Sequence, residues 1–139
     1  MQDEIVKVLN DIEERLGKIE EMLFDEPFSA KCIDEQLRLI EFVSKMQATR
    51  QEIVSRNPYI ANHFLGSSSS SSPQSLSAKK SYYNDTLDKI EKEHISQFYQ
   101  ALVMIKEKFP NDDRALSLSN RCNKCSEEIK KIRSVIQKF

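Results

Sequence analysis

The sequence predicts an all-α protein, an elongated helical bundle or coiled coil of about four helices. Apolar residues recur at alternating gaps of four and three in two separate stretches, which is the spacing of a coiled-coil seam. Only two glycines and four prolines occur in 139 residues, too few turn formers for a sheet protein with its many reversals. Charged residues make up 31% of the chain, as the solvent-facing sides of long helices require.

The first seam is Ile5, Leu9, Ile12, Leu16, Ile19 and Leu23. Gly17 lies inside it at a cost of roughly 1 kcal/mol relative to alanine, which points either to close approach by a neighbour or to simple tolerance. Asp25-Glu26-Pro27 ends this helix, because the residue before a proline is pushed out of the helical region. Ser29 is placed to cap a second helix whose apolar positions Ile33, Leu37, Ile40, Val43 and Met46 keep to one face. Leu39 and Phe42 widen that stripe, and the widening predicts contact with two neighbours. Asn57-Pro58 stops or kinks the helix. Tyr59, Ile60, Phe64 and Leu65, closed by Gly66, read as a helical turn that caps one end of the bundle.

Six consecutive serines, Ser67 to Ser72, and then Pro73 read as a flexible linker, natural or engineered, whose asymmetric flanks favour a natural loop. It divides one structural unit into an N-terminal helical pair over 1–66, a linker over 67–77 and a C-terminal pair over 78–139. The third helix is expected to start near Ala78 or Ser81 and to run to Phe109. Its inner face holds Tyr83, Leu87, Ile90, His94, Phe98, Leu102, Ile105 and Phe109, where consecutive gaps of four around His94 form a stutter. Pro110 stops it, and Asn111 or Asp112 caps the last helix. That helix carries the second strict seam: Leu118, Cys122, Cys125, Ile129, Ile132, Ile136 and Phe139.

Lysine and arginine number 21 and aspartate and glutamate 22, so nothing advertises nucleic-acid binding. The charge is nevertheless divided. Residues 1–26 hold nine acidic and three basic side chains, whereas 114–139 hold seven basic and two acidic. The first and last helices are therefore complementary: either their charges select partner and orientation, within one chain or between chains, or both are simply solvated faces. No apolar run approaches the roughly 20 residues needed to cross a bilayer. Met-Gln-Asp-Glu at the start is acidic where a signal peptide is basic. A cytosolic or nuclear chain without membrane insertion is expected, with its three cysteines reduced.

Cys122-Asn123-Lys124-Cys125 has the two-residue spacing of zinc and thiol-redox sites, but both cysteines fall on seam positions, where small apolar side chains belong. Core packing is the expectation. His94 on an apolar face and His63 beside a proline-bounded turn read as structural residues, and Tyr82-Tyr83 with Lys79-Lys80 as a helix start with one inward tyrosine. No carboxylate pair, nucleophile arrangement or phosphate-binding loop is visible, so neither an enzyme nor a cofactor is expected. The first and last helices, with their narrow stripes, are expected at the margin of the bundle. There their seams would recruit helical partners, with Ile129, Ile132 and Ile136 as the exposed adhesive surface.

Arg15-Leu16, Ile19-Glu20 and Leu23-Phe24 close the first seam, the second helix ends near Pro58-Tyr59-Ile60, and Glu93, Ile95, Phe98, Leu102, Ile105, Pro110 and Asp112 lead into the last helix. This layout resembles the small helical shoulder subunit of dynactin, the dynactin subunit 3 family. The resemblance implies a non-catalytic subunit that packs with dynamitin and the Glued subunit. It further implies a cytoplasmic, cytoskeleton-associated protein, at centrosome or kinetochore, that supports dynein-driven transport along microtubules. A subunit of another helical scaffold, such as a kinetochore or vesicle-tethering complex, and a self-contained four-helix adaptor are the other readings. Far-ultraviolet circular dichroism of the purified chain is expected to show a helical spectrum, and a strand-dominated spectrum would contradict the fold class.

Overall fold

The computed structural model describes residues 3–57 and 75–139, and among them there are four helices and no strand. Helix α1 is Asp3–Glu20, closed by a π turn at Glu21–Asp25. Helix α2 is Ala30–Arg56. Helix α3 consists of Leu76–Ile90, a π turn at Glu91–Ile95, and Ser96–Lys108. Helix α4 is Asp113–Gln137.

The ends follow local chemistry. Ser29 Oγ accepts the Cys32 N–H at 3.2 Å and Asp112 Oδ1 accepts the Ala115 N–H at 2.9 Å, so each satisfies an amide that has no partner within its helix. Glu26 and Asn57, each before a proline, are extended. Helix α3 starts at Leu76, earlier than the expected Ala78 or Ser81, because Ser75 Oγ caps it by accepting the Ala78 N–H at 3.1 Å. The last residues assigned to the linker thus belong to a helix. The expected knot of Tyr59, Ile60, Phe64 and Leu65, His63, and the serine run lie outside the described residues.

The side-chain contacts fix the topology. Arg114 of α4 faces Asn10 and Glu13 of α1, and Arg121 faces Glu20, so both numbers rise together and α1 and α4 run parallel. Tyr99 reaches Asn123 and Ser126 while Asp88 and Glu91 reach Arg133, so α3 and α4 run antiparallel. Phe28 stacks edge-on against Tyr83, and the Arg38 guanidinium lies over the Phe139 ring, which sets the start of α2 beside the start of α3 and the end of α4.

Helices α1 and α2 make no extended contact with each other. They occupy successive levels of one track, first α1 and then the start of α2, against the continuous α3–α4 hairpin. The two helices of residues 1–66 are therefore not a side-by-side pair, because each packs on the C-terminal half of the chain. Among the described residues any level of the bundle is three helices thick. One continuous core runs through it, from Leu9, Ile105 and Ala115 at one end to Leu37, Tyr83 and Ile136 at the other.

The stutter in α3 becomes a π turn. Buried residues on its inner face are Tyr83, Leu87, Ile90, Ile95, Phe98, Leu102 and Ile105, with gaps of four, three, five, three, four and three. The five-residue gap spans the π turn, where wider hydrogen-bond closure absorbs one extra residue without rotating the next heptad off the core. Ile95 replaces His94 as the inward residue, and His94 is half-buried at the edge.

A Cβ built on Gly17 meets nothing within 4 Å. Among the described residues no neighbour requires this glycine, and tolerance is the reading that fits. Gly17→Ala is expected to stabilise the protein by about 0.5–1 kcal/mol, read as a higher denaturation midpoint. Deleting exposed Glu93 restores the unbroken alternation of three and four, so it is expected to leave stability nearly unchanged. Deleting exposed Gln100 instead rotates Leu102 and Ile105 off the core and is expected to unfold most of the protein. Thermal melts of the two deletions distinguish these outcomes.

Candidate interaction surface

The two strict seams do not form a partner surface. Leu9, Ile12, Leu16, Ile19 and Leu23 of the first and Leu118, Cys122, Cys125, Ile129, Ile132 and Ile136 of the second are buried in the chain's own core. Ile5 and Phe139 are half-buried against its ends. The expectation that Ile129, Ile132 and Ile136 are exposed at the margin is therefore corrected. In a three-stranded coil the two-in-seven rows of all three helices point at one axis, so a narrow stripe is enough for complete burial.

The charge complementarity of the first and last helices is likewise satisfied within the chain. Arg114 Nη2 donates to Glu13 at 2.6 Å, and Arg121 Nε donates to both Glu20 oxygens at 3.2 Å. Arg133 Nη2 donates to Asp88 at 2.6 Å and Glu91 at 2.5 Å, the equivalent clamp between α4 and α3. These pairs are partly exposed, and each contributes at most about 1 kcal/mol. Their effect is to fix the register of α4. The hydrogen bond from Arg133 holds the Asp88 carboxyl below its ordinary range.

Cys122 and Cys125 occupy core positions, and burial pushes their thiols up to about 11 and about 12. A thiol held protonated is a poor nucleophile and a poor metal ligand. Among the described residues no group of three or more His, Cys, Asp or Glu side chains is arranged to hold a metal ion. Arg15 donates to Nδ1 of His94 at 2.7 Å and lies over the Phe98 ring, so His94 joins α1 to the π turn. Tyr83 points inward and Tyr82 outward, with the Lys79 ammonium over both rings.

Among the described residues, exposed large apolar side chains occur on every helix, Met104 and Val103 of α3 included, but a regular row of them lies on α2. Its bundle-facing row is Ile33 and Leu37, both buried, with Ile40 half-buried. Beyond Ile40 no residue of α2 is buried. Leu39, Phe42, Met46 and Ile53 are 57%, 60%, 57% and 46% exposed. With Thr49 they have gaps of three, four, three and four, a heptad row on roughly the opposite side of the helix from Ile33 and Leu37 at about 100° per residue. Isolated exposed apolar residues are ordinary, but a contiguous row marks an interaction site. The expectation that Leu39 and Phe42 meet a second neighbour inside the bundle is corrected: among the described residues α2 packs on α3 and α4 through its Ile33 and Leu37 side, and Leu39 and Phe42 lie on the other. The sequence signal was the doubled apolar pattern itself, whose two rows lie on opposite sides of one helix.

Comparison with protein-family models, with curated proteins and with solved structures found no match. Among the described residues no helix is long and apolar enough to cross a membrane.

Because folding raises both core thiols above their ordinary value of 9.0, the folded state keeps protons that the unfolded chain releases at alkaline pH. Their contribution is whole below about pH 9 and is lost as pH rises toward 11 and 12. Stability is thus expected to fall over that range less steeply in Cys122→Ala/Cys125→Ala than in the parent, as measured by urea unfolding at several pH values.

Proposed function

We propose that this chain is a non-catalytic scaffold subunit, a self-closed helical bundle that joins a larger helical assembly through the outer face of α2. The supporting observation is the exposed heptad row Leu39, Phe42, Met46, Thr49 and Ile53. A helix laid on that row buries apolar side chains now facing water, by the helix-in-groove mode of recognition. Because the row belongs to a helix already anchored by Ile33 and Leu37, docking does not have to order it first.

Within this reading, the sequence resemblance favours dynactin's shoulder, with dynamitin and the Glued subunit as partners and support of dynein-driven transport as the role. A second reading, the self-contained adaptor, is favoured by the closure of the α1 and α4 seams inside the chain, since such a core folds without a partner. Co-expression with dynamitin and the Glued shoulder segment tests the first. A complex that survives gel filtration and is lost in Phe42→Asp/Met46→Asp is the expected result. A complex that is indifferent to that substitution removes the α2 face from the proposal, and no complex at all removes the dynactin assignment.

A further inference from the structure

We propose that the outer face of α2 pairs with the same face of a second copy, antiparallel, forming a homodimer with the two bundles at opposite ends. The inference rests on reading that face as the docking surface and adds its occupant. In heptad terms Leu39, Met46 and Ile53 hold one seam position, and Phe42 and Thr49 the other. The side chains flanking the seam are Arg38, Lys45 and Glu52 on one side and Val43 and Arg50 on the other.

These flanks distinguish the two possible orientations. In a parallel pair, the flanking position before one heptad faces the flanking position within the next, which sets Lys45 opposite Arg50 and Glu52 opposite uncharged Asn57 of the second copy, so no opposite-charge pair forms across the seam. In an antiparallel pair, Met46 packs beside Thr49 and Phe42 beside Ile53. Lys45 then faces Glu52 of the second copy, again twice, and Arg50 faces uncharged Val43. Only the second arrangement brings opposite charges together, so register and direction are selected together. Lys45 and Glu52 each hold an exposed partner one turn away in their own helix, Glu41 and Arg56. Those contacts are weak and can coexist with a pair across the seam.

The shape of the chain permits this pairing. From Leu39 to Arg56 the helix runs about 27 Å at 1.5 Å per residue, and the antiparallel register sets the Arg56 end of one copy beside the Leu39 level of the other. The bundles then lie apart at the two ends. The row spans only about two and a half heptads, fewer than a free coiled coil needs. A weak, concentration-dependent dimer is therefore expected.

Sedimentation equilibrium of the full chain is the test. The parent is expected to move from monomer to dimer with concentration, and Phe42→Asp/Met46→Asp to remain monomeric with its helical spectrum and melting temperature retained, since both side chains are exposed in the monomer. Lys45→Glu decides orientation. In the antiparallel pair it sets a second carboxylate against Glu52 and is expected to weaken the dimer about tenfold, with Lys45→Glu/Glu52→Lys restoring it. A dimer strengthened by Lys45→Glu is parallel and overturns the proposal. A parent that stays monomeric at every concentration overturns it too, while leaving the scaffold reading to the co-expression experiment. Self-association that Phe42→Asp/Met46→Asp does not disturb overturns the pairing and shows that copies meet elsewhere.

Discussion

Burial of the apolar row of α4 is the constraint on which the rest of the structure depends. Ala115, Leu118, Cys122, Cys125, Ile129, Ile132 and Ile136 form an unbroken row of gaps of three and four, all removed from water. Each other helix packs on α4: α1 along its first half, α2 along its second, and α3 along its length. Fully burying side chains of this size contributes roughly 1.5–3 kcal/mol each for the larger aliphatic residues. Among the described residues the inner row of α3, Tyr83 to Ile105, matches it in length, but that row is interrupted by the π turn. The basic side chains beside the row, Arg114, Arg121 and Arg133, then meet carboxylates on α1 and α3, which selects among registers that the apolar row alone leaves nearly equivalent.

A single long helix needs two companions to enclose such a row. The chain supplies one as α3, long enough to match α4, and builds the other from two pieces, α1 and the first turns of α2. Both adjustments to this plan occur where regular helix geometry runs out. The π turn at Glu91–Ile95 lets α3 carry one residue more than its heptads accommodate. The π turn at Glu21–Asp25, with the extended residue Glu26, lets the chain leave α1 and enter α2 on the same side of the hairpin. Phe28 is buried at that junction against Tyr83, so the discontinuity is sealed by aromatic packing.

Helix α2 does two jobs with opposite sides of one cylinder. Its first turns complete the core through Ile33 and Leu37, and its remaining length carries Phe42, Met46 and Ile53 toward solvent. A surface of this kind on a rigid, anchored helix is suited to protein recognition, because little order has to be created on binding. The core thiols and the Arg15–His94 contact, by contrast, are arranged for packing and for linking helices.

The helical class, the positions of the caps at Ser29 and Asp112, and the inner rows of α1 and α4 were all legible in the sequence. Each rests on local physics: a hydroxyl or carboxylate near a free amide, a proline that cannot continue a helix, an apolar spacing that matches the helical repeat. Periodicity shows which residues want burial, but it cannot say how many helices share the burial. That number decided the outcome. With three helices at each level the strict rows of α1 and α4 close on themselves, and the second row of α2, read from sequence as inner surface, is left outside. The choice between Ile95 and His94 was also tertiary, because the sequence shows only that one residue is surplus, and packing against α1 and α4 decides which one turns outward.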